Sequence, residues 1–248
     1  MRLSYHPPRF LFRRATVLRL VTPGETFLEV GAGNLKMSIA LLSKFGRGTS
    51  VEPASGATAI HASLSADALS RLTLVTDELS SVDRRQTVDC VVSCEVMEHV
   101  EDDHGFLDEL RSFLGPGGQL IISVPAKQRY WSVHDEMVGH LRRYEREPLV
   151  ELIEAHGFEV EEVAAYGFPF INLLWLARVV HGRRQVAEKS SMSNHERTEA
   201  SGIAQNDLNK WLGLVFNPLT FAIPNLIARS FDRFDWSEGY VVSAHRIA

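Results

Sequence analysis

The segment Phe27-Leu28-Glu29-Val30-Gly31-Ala32-Gly33-Asn34 is an apolar run with one acidic residue, and it stops at glycines before a helical pattern from Lys36 to Ser43. A strand that ends this way lets backbone N–H groups approach a ligand closely, because glycine has no Cβ and the first turn of a helix carries unpaired donors. Roughly twenty residues later a second short strand, Thr49-Ser50-Val51, ends in Glu52, where a carboxylate can take two hydrogen bonds from a ribose diol. Two strands joined by a helix, with their carboxyl ends set for a nucleoside-containing cofactor, restrict the chain to an α/β architecture.

The rest of the first 165 residues continues the alternation. Residues 9–21 place apolar side chains at helical spacing with arginines on the other side, and a Pro23-Gly24 turn follows. The pattern then predicts strand 26–30, helix 35–45, strand 48–52, helix 55–69 and strand 72–76. Strand 88–94, helix 103–114, a turn at Gly115-Pro116-Gly117-Gly118 and strand 119–124 come next. A helix over 146–156 ends at Gly157, and strand 158–164 follows it. Helices between successive apolar strands imply right-handed crossovers and a doubly wound, mostly parallel sheet. Residues 167–181 are strongly apolar, 182–207 are polar and read as a mobile loop, and 211–231 are apolar again with Pro218 and Pro224. Residues 239–245 form a last strand. If it pairs beside 158–164, the chain is one domain over 1–248 with an insertion at 167–238.

Composition removes several function classes. A formal net charge of −5 argues against broad attraction to nucleic acid, so no nucleic-acid partner is expected. Cys90 and Cys94 lie four apart in one apolar segment, which suits neither a structural disulfide nor a zinc site, and no metal is expected. A reducing, cytoplasmic location is the simplest reading. No stretch is apolar and long enough for a secretory signal or a spanning helix. A dinucleotide fold wants three glycines in G-x-G-x-x-G, whereas here only Gly31 and Gly33 precede Leu35 and Lys36. No Walker-type lysine stands at the required spacing.

Taken together, Leu28-Glu29-Val30-Gly31-Ala32-Gly33, Glu52, Asp77-Glu78-Leu79 and the run from Asp89 to Val100 (DCVVSCEVMEHV) resemble the class I S-adenosylmethionine-dependent methyltransferases. Leu114-Gly115-Pro116-Gly117-Gly118 with the strand after it adds to the likeness, which spans roughly residues 25–165. The resemblance implies a Rossmann-like seven-stranded sheet whose last strand is antiparallel, with the cofactor across the carboxyl ends of the first strands. The family usually has a third glycine where Leu35 stands. Carried over by position, Glu29 orients the methionine ammonium, and the backbone at Gly31 and Gly33 borders the methionine and ribose. Glu52 takes the ribose hydroxyls, and Pro53 and Ala54 lie beside the adenine. Asp77 takes the adenine amino group, with Glu78 and Leu79 on the ring edge, and Cys94 and Glu95 approach the methionine part. Asp77 also reads as a turn residue, Glu95 as a helix-capping acid and His99 as a structural residue before a helix.

After the fifth strand, Tyr130-Trp131-Ser132-Val133-His134-Asp135-Glu136 and Gly139-His140-Leu141-Arg142-Arg143-Tyr144 fall where the chain can cover the reactive methyl. The second stretch resembles a segment of small-molecule methyltransferases. Histidine accepts protons near neutral pH, which makes His140 or His134 the candidate general base. Tyr130, Trp131, Arg142, Arg143 and Tyr144 are candidates for contacting the acceptor. The arginines also read as partners of acidic residues, and Tyr144 as packing under the next helix. The apolar insertion, with Phe168, Phe170, Leu173, Leu174, Trp175, Trp211, Phe216 and Phe221, reads as a substrate lid, a homodimer surface or a shallow peripheral membrane contact for a lipid-like acceptor. The expected activity is methyl transfer to a small or medium-sized, partly apolar molecule. A non-catalytic S-adenosylmethionine-binding regulator and a protein or nucleic-acid methyltransferase are the rival readings. Against an amino-directed DNA enzyme, no Asn-Pro-Pro-aromatic or Asp-Pro-Pro-aromatic tetrapeptide follows the fourth strand.

Overall fold

Runs of valine, isoleucine and leucine buried on both faces are what a covered parallel sheet requires, and the computed structural model, which describes residues 5–85, 87–175 and 215–247, shows such a sheet. Its strands are β1 (Gly24–Val30), β2 (Phe45–Val51), β3 (Leu72–Val75), β4 (Val88–Cys94), β5 (Leu114–Pro125), β6 (Phe158–Ala165) and β7 (Gly239–Arg246), in the order β3-β2-β1-β4-β5-β7-β6. The first five pair parallel, while β7 lies antiparallel between β5 and β6. This is the expected doubly wound α/β sheet with its antiparallel last strand.

The helices among the described residues are α1 (Pro8–Leu20), α2 (Lys36–Leu41), α3 (Gly56–Ala62), α4 (Ala66–Arg71), α5 (Asp103–Ser112), α6 (Val133–Val138), α7 (Arg146–Ala155) and α8 (Ala222–Arg229). On one face Leu107 and Leu110 of α5 and Leu149 and Ile153 of α7 pack against Leu28, Val91, Leu120 and Ile122. On the other, Phe12, Met37, Leu41, Ala68 and Ala228, from α1, α2, α4 and α8, pack against Phe27, Cys90, Val92, Ile121 and Val241. Alternation along each strand divides the core in two, and both cysteines fall on the same side, as their spacing requires.

Three local expectations are corrected. The single helix expected over 55–69 is two, because Ser65 caps a new helix by accepting the Ala68 amide at 3.3 Å on its Oγ. The helix expected over 35–45 spans only Lys36–Leu41, and β2 starts earlier, at Phe45. The Gly115–Gly118 turn is a bulge inside β5: Val88 pairs with Leu114 but Cys90 with Gln119, so the glycines absorb the extra residues.

Because β6 runs parallel to β5 and β7 returns antiparallel, the chain between them leaves and re-enters at one edge of the sheet. Ala165 pairs with Tyr240 and Pro125 with Gly239, so that edge is the carboxyl edge of the parallel strands. The described parts of this segment are tied down. Trp175 Nε1 donates to the Tyr130 carbonyl at 2.9 Å, Tyr130 Oη donates to the Trp236 carbonyl at 3.0 Å, and Asn172 Nδ2 donates to Tyr130 Oη at 2.9 Å. Phe170 stacks on Phe12 of α1 with ring centroids 5.5 Å apart. The polar stretch 182–207 and Trp211, read from the sequence as loop and apolar residue, lie outside the described residues.

Candidate active site

At the end of β1 the amides of Gly31 and Ala32 both donate to the Val51 carbonyl, at 3.0 and 3.1 Å, and bend the chain across the end of β2. Gly31 has φ +73°, and a Cβ there would lie 2.3 Å from Val96 Cγ2, so only glycine fits. Gly33 follows at φ +53°. Leu35, standing where the resemblance leads to a third glycine, is left-handed at φ +58° with a fully buried side chain. That conformation costs a leucine about 1–2 kcal/mol, and burying its side chain offsets the strain by about 1.5–3 kcal/mol.

The carboxylate of Glu52 turns back over this bend, where Oε2 accepts the Gly33 amide at 2.6 Å and Oε1 the Ala54 amide at 3.0 Å. An ionised carboxylate has roughly four lone-pair positions, so two are left for a diol. Pro53 beside it is exposed. Beyond β3, Asp77 and Glu78 are exposed, Asp77 Oδ1 accepts the Glu78 amide at 2.8 Å, and Leu79 is buried. All of these residues follow the carboxyl ends of adjacent strands. Glu29 instead lies within β1, 2% exposed, and accepts a hydrogen bond from Ser38 Oγ, which in turn accepts from Ser50 Oγ at 2.9 Å. Burial pushes the Glu29 carboxyl up to about 8, against the opposing pull of Ser38 and Arg13.

At the end of β4, burial pushes the Cys94 thiol up to about 12, so it stays a thiol at neutral pH. Glu95 has φ +58°. Its amide donates to the Ser123 carbonyl at 2.8 Å and its Oε1 accepts from Ser123 Oγ at 3.1 Å. Oε2 meets Arg9 Nη2 at 2.9 Å and Arg13 Nη1 at 3.4 Å. Burial alone would raise this carboxyl, but the two guanidinium groups overcome it and hold Glu95 down at about 2. The arginines set opposite the apolar side of the first helix therefore do not all face water. Arg9 and Arg13 point inward, one helical turn apart, onto a strand end that nothing local in the sequence identifies.

The segment after β5 builds a second charged cluster. Asp135 closes a capping box with Ser132, whose amide and Oγ donate to its Oδ2 at 2.8 and 3.0 Å. Its Oδ1 accepts from His140 Nδ1 at 2.8 Å and from Arg143 Nη2 at 2.7 Å. Against the effect of burial, the hydrogen bond from His140 and the charge of Arg143 hold Asp135 well below the usual carboxylate range. His140 Nε2 stands 3.7 Å from Glu98 Oε1. Glu98, which the sequence reading passed over, is fully buried in the short 3-10 turn Met97–His99, and burial together with the Glu95 charge pushes it well above the usual range. Beside it His99 Nδ1 donates to the Gly139 carbonyl at 3.1 Å, and its ring meets His140 edge-on at 4.8 Å. Burial, then the neighbouring His140, lowers His99 to about 4.

The other acceptor-side candidates are spread around this cluster. Arg143 also donates to the Ala126 carbonyl at 3.1 Å and so pins the segment to the end of β5. Arg142 pairs with Asp103 at 2.8 Å, and Tyr144 is buried with its hydroxyl on the same carboxylate at 3.0 Å. Tyr130 is a junction with the segment between β6 and β7. Trp131 Nε1 reaches Glu136 Oε1 at 3.4 Å, and half-buried His134 lies in the first turn of α6 with its amide on Ser132 Oγ.

A glycine cradle, a carboxylate following the second strand and a seven-stranded sheet with one reversed strand now stand together, and a family model described as a methyltransferase domain matches residues 7–163. The chain belongs to the class I S-adenosylmethionine-dependent methyltransferases. A Mycolicibacterium smegmatis (strain ATCC 700084 / mc(2)155) protein named "Probable S-adenosylmethionine-dependent methyltransferase" is 36% identical over 78 residues, which cover 31% of this chain and 30% of that protein. The matched stretch thus spans less than a third of that curated relative. A structure from Bacillus halodurans C-125 superposes with a TM-score of 0.61 over 95% of this chain and 99% of its own, at 16% identity. An S-adenosylmethionine-dependent methyltransferase from Mesorhizobium loti gives 0.57 over 94% and 96%, at 13% identity. At such identities these two likenesses concern the fold. The methyltransferase's donor is S-adenosylmethionine, and the residues present fit it: Glu52, just beyond the second strand, keeps acceptor positions for a ribose diol.

Proposed function

We propose that this methyltransferase methylates O, N or C of a small or medium-sized, partly apolar acceptor, lipid-like molecules included. We read it as one domain in which 167–238 is an insertion over the acceptor. The observation that carries this reading is topological. The segment between β6 and β7 begins and ends at the carboxyl edge of the sheet, where Gly31, Glu52 and Glu95 also lie, and it leaves Leu173, Leu219, Ile223 and Leu226 between 68% and 81% exposed. Apolar side chains left exposed on a segment that begins and ends at this edge suit an apolar acceptor. The net charge of −5 does not favour a nucleic acid. Among the described residues no helix is long and apolar enough to cross a membrane, so contact with a lipid surface would be peripheral. The two free cysteines agree with a cytoplasmic setting.

Bound S-adenosylmethionine supplies an electrophilic methyl group. The chain's own residues position and exclude water. Glu52 accepts the ribose hydroxyls, Asp77 the adenine amino group, and Glu29 ionises against the methionine ammonium. Asp135 holds the Nδ1 proton of His140, which leaves a lone pair on Nε2 to accept the proton of an acceptor hydroxyl or amine in the metal-free enzyme. The experiment is transfer of radiolabelled methyl from S-adenosylmethionine to a panel of phenols, amines and hydroxy fatty acids, with S-adenosylhomocysteine binding followed by calorimetry. The expected result is transfer to an apolar member. His140→Ala should lower turnover roughly 10²–10⁴-fold, while Glu52→Ala weakens cofactor binding by removing charge-assisted hydrogen bonds. Tight binding with no transfer to any acceptor would instead assign a regulatory cofactor-binding role.

A further inference from the structure

We infer that Glu98, His99 and His140 form a site for one divalent cation of the first transition row, zinc included. One ligand atom from each residue lies within 4.8 Å of the others. Glu98 is 0% exposed, and among the described residues neither of its carboxylate oxygens has a hydrogen-bond partner. The His140 Nε2 atom stands 3.7 Å from Oε1. A carboxylate buried without donors is strongly disfavoured unless a positive charge joins it, and here two imidazoles are set to share that charge.

Each imidazole is oriented through its other nitrogen. Asp135 accepts Nδ1–H of His140 at 2.8 Å, and the Gly139 carbonyl accepts Nδ1–H of His99 at 3.1 Å. Both tautomers therefore carry the lone pair on Nε2. A carboxylate behind a histidine is the arrangement that orients metal-ligating imidazoles and raises their basicity. Asp135 is itself fixed by Arg143 and Ser132, so the support is rigid. Glu95 is engaged with Arg9 and Arg13 and is not required.

Two imidazoles and one carboxylate select Zn²⁺, Co²⁺, Mn²⁺ or Fe²⁺ over Mg²⁺ and Ca²⁺, which prefer oxygen alone. Ligands about 2.0–2.2 Å from a tetrahedral ion lie about 3.5 Å apart, so the three side chains must draw inward by about 1 Å. The Glu98 carboxylate, held by no other residue's hydrogen bond among the described residues, is the group that can move. Three protein ligands leave an open position for water or for an acceptor oxygen. The inference goes beyond the methyl-transfer reading and does not depend on it. With a cation on Nε2, His140 is a ligand rather than a proton acceptor.

The test uses the full chain, stripped with EDTA and titrated with Co²⁺ under visible absorption and calorimetry. One Co²⁺ per chain should bind, be displaced by Zn²⁺ and persist in excess Mg²⁺. Glu98→Gln and His99→Gln should each weaken binding at least about tenfold, while metal-free melting of Glu98→Gln stays at or above that of the parent. His104 and His156 form a separate exposed pair at 2.9 Å, so His156→Gln should leave binding unchanged. No saturable Co²⁺ binding by a chain that still binds S-adenosylhomocysteine would overturn the cation site and leave the methyltransferase reading standing. Loss in His156→Gln with retention in Glu98→Gln would overturn it equally.

Discussion

Glu29 is a carboxyl whose proton depends on folding. Burial holds it at about 8, against 4.5 for the free side chain. Between those values the folded chain keeps a proton that the unfolded chain has lost, so this group makes stability fall as pH rises from about 4.5 to 8. Glu29→Gln removes that slope. Urea denaturation at pH 5, 6.5 and 8 should show the variant gaining on the parent toward pH 8, by about 1–3 kcal/mol at about 1.4 kcal/mol per pKa unit; parallel curves would show that Glu29 does not titrate this way. Leu35 gives a second test. Its φ of +58° suits glycine, so Leu35→Gly should be more stable than Leu35→Ala by about 1 kcal/mol, the reverse of the usual helix order. Both should fall below the parent, because a buried leucine is lost.

The element that departs most from its sequence pattern is α1. Its apolar side is legible as a helix, and Phe12 and Val17 do enter the core. Arg9 and Arg13 were not legible as inward residues, because Glu95 lies more than eighty residues away and only the sheet brings it under the helix. Their pairing keeps Glu95 ionised, and a carboxyl with a depressed folded value stabilises above about pH 4.5 and loses that contribution as pH falls toward 2. Replacing both arginines by methionine should destabilise the chain by about 3–5 kcal/mol, since it leaves a buried charge unpaired. Adding Glu95→Gln should recover much of that loss. If thermal melting shows no recovery, the arginines stabilise through packing alone.

Across the whole molecule, the reversed strand decides where the segment between β6 and β7 leaves and re-enters the sheet, and the proposed acceptor site follows from it. The chain leaves β6 and returns to β7 at the carboxyl edge of the parallel strands, and the described part of that segment leaves Leu173, Ile223 and Leu226 exposed rather than in the core. The combined variant Leu173→Ser, Ile223→Ser and Leu226→Ser should melt within a few degrees of the parent, because surface substitutions change stability by about 0.5 kcal/mol each or less. S-adenosylhomocysteine affinity should be unchanged, and KM for an apolar acceptor should rise about tenfold, roughly 1.4 kcal/mol. A fall from dimer to monomer in sedimentation would assign the face to a second copy of the chain instead.

The sequence alone determined what depends on local order and periodicity. Apolar strands alternating with helices made the sheet parallel, and glycines at 31 and 33 marked a sharp turn after the first strand because few other residues can adopt their backbone. The same logic fails at Leu35, where the backbone is left-handed with no glycine in the sequence to signal it, and burial of the leucine offsets the strain. The break in the helix over 55–69 was readable in principle at Ser65, whose capping competes with helix continuation. Only the tertiary structure decided the charged clusters. Glu98, His99 and His140 carry no spacing motif, since one pair is adjacent and the third residue follows only after two helices, a strand and a turn. They meet because Asp135 and Arg143 anchor the segment after β5 over the end of β4. A sequence records which groups can ionise or ligate; burial and proximity, which set whether they do, exist only once distant strands have paired.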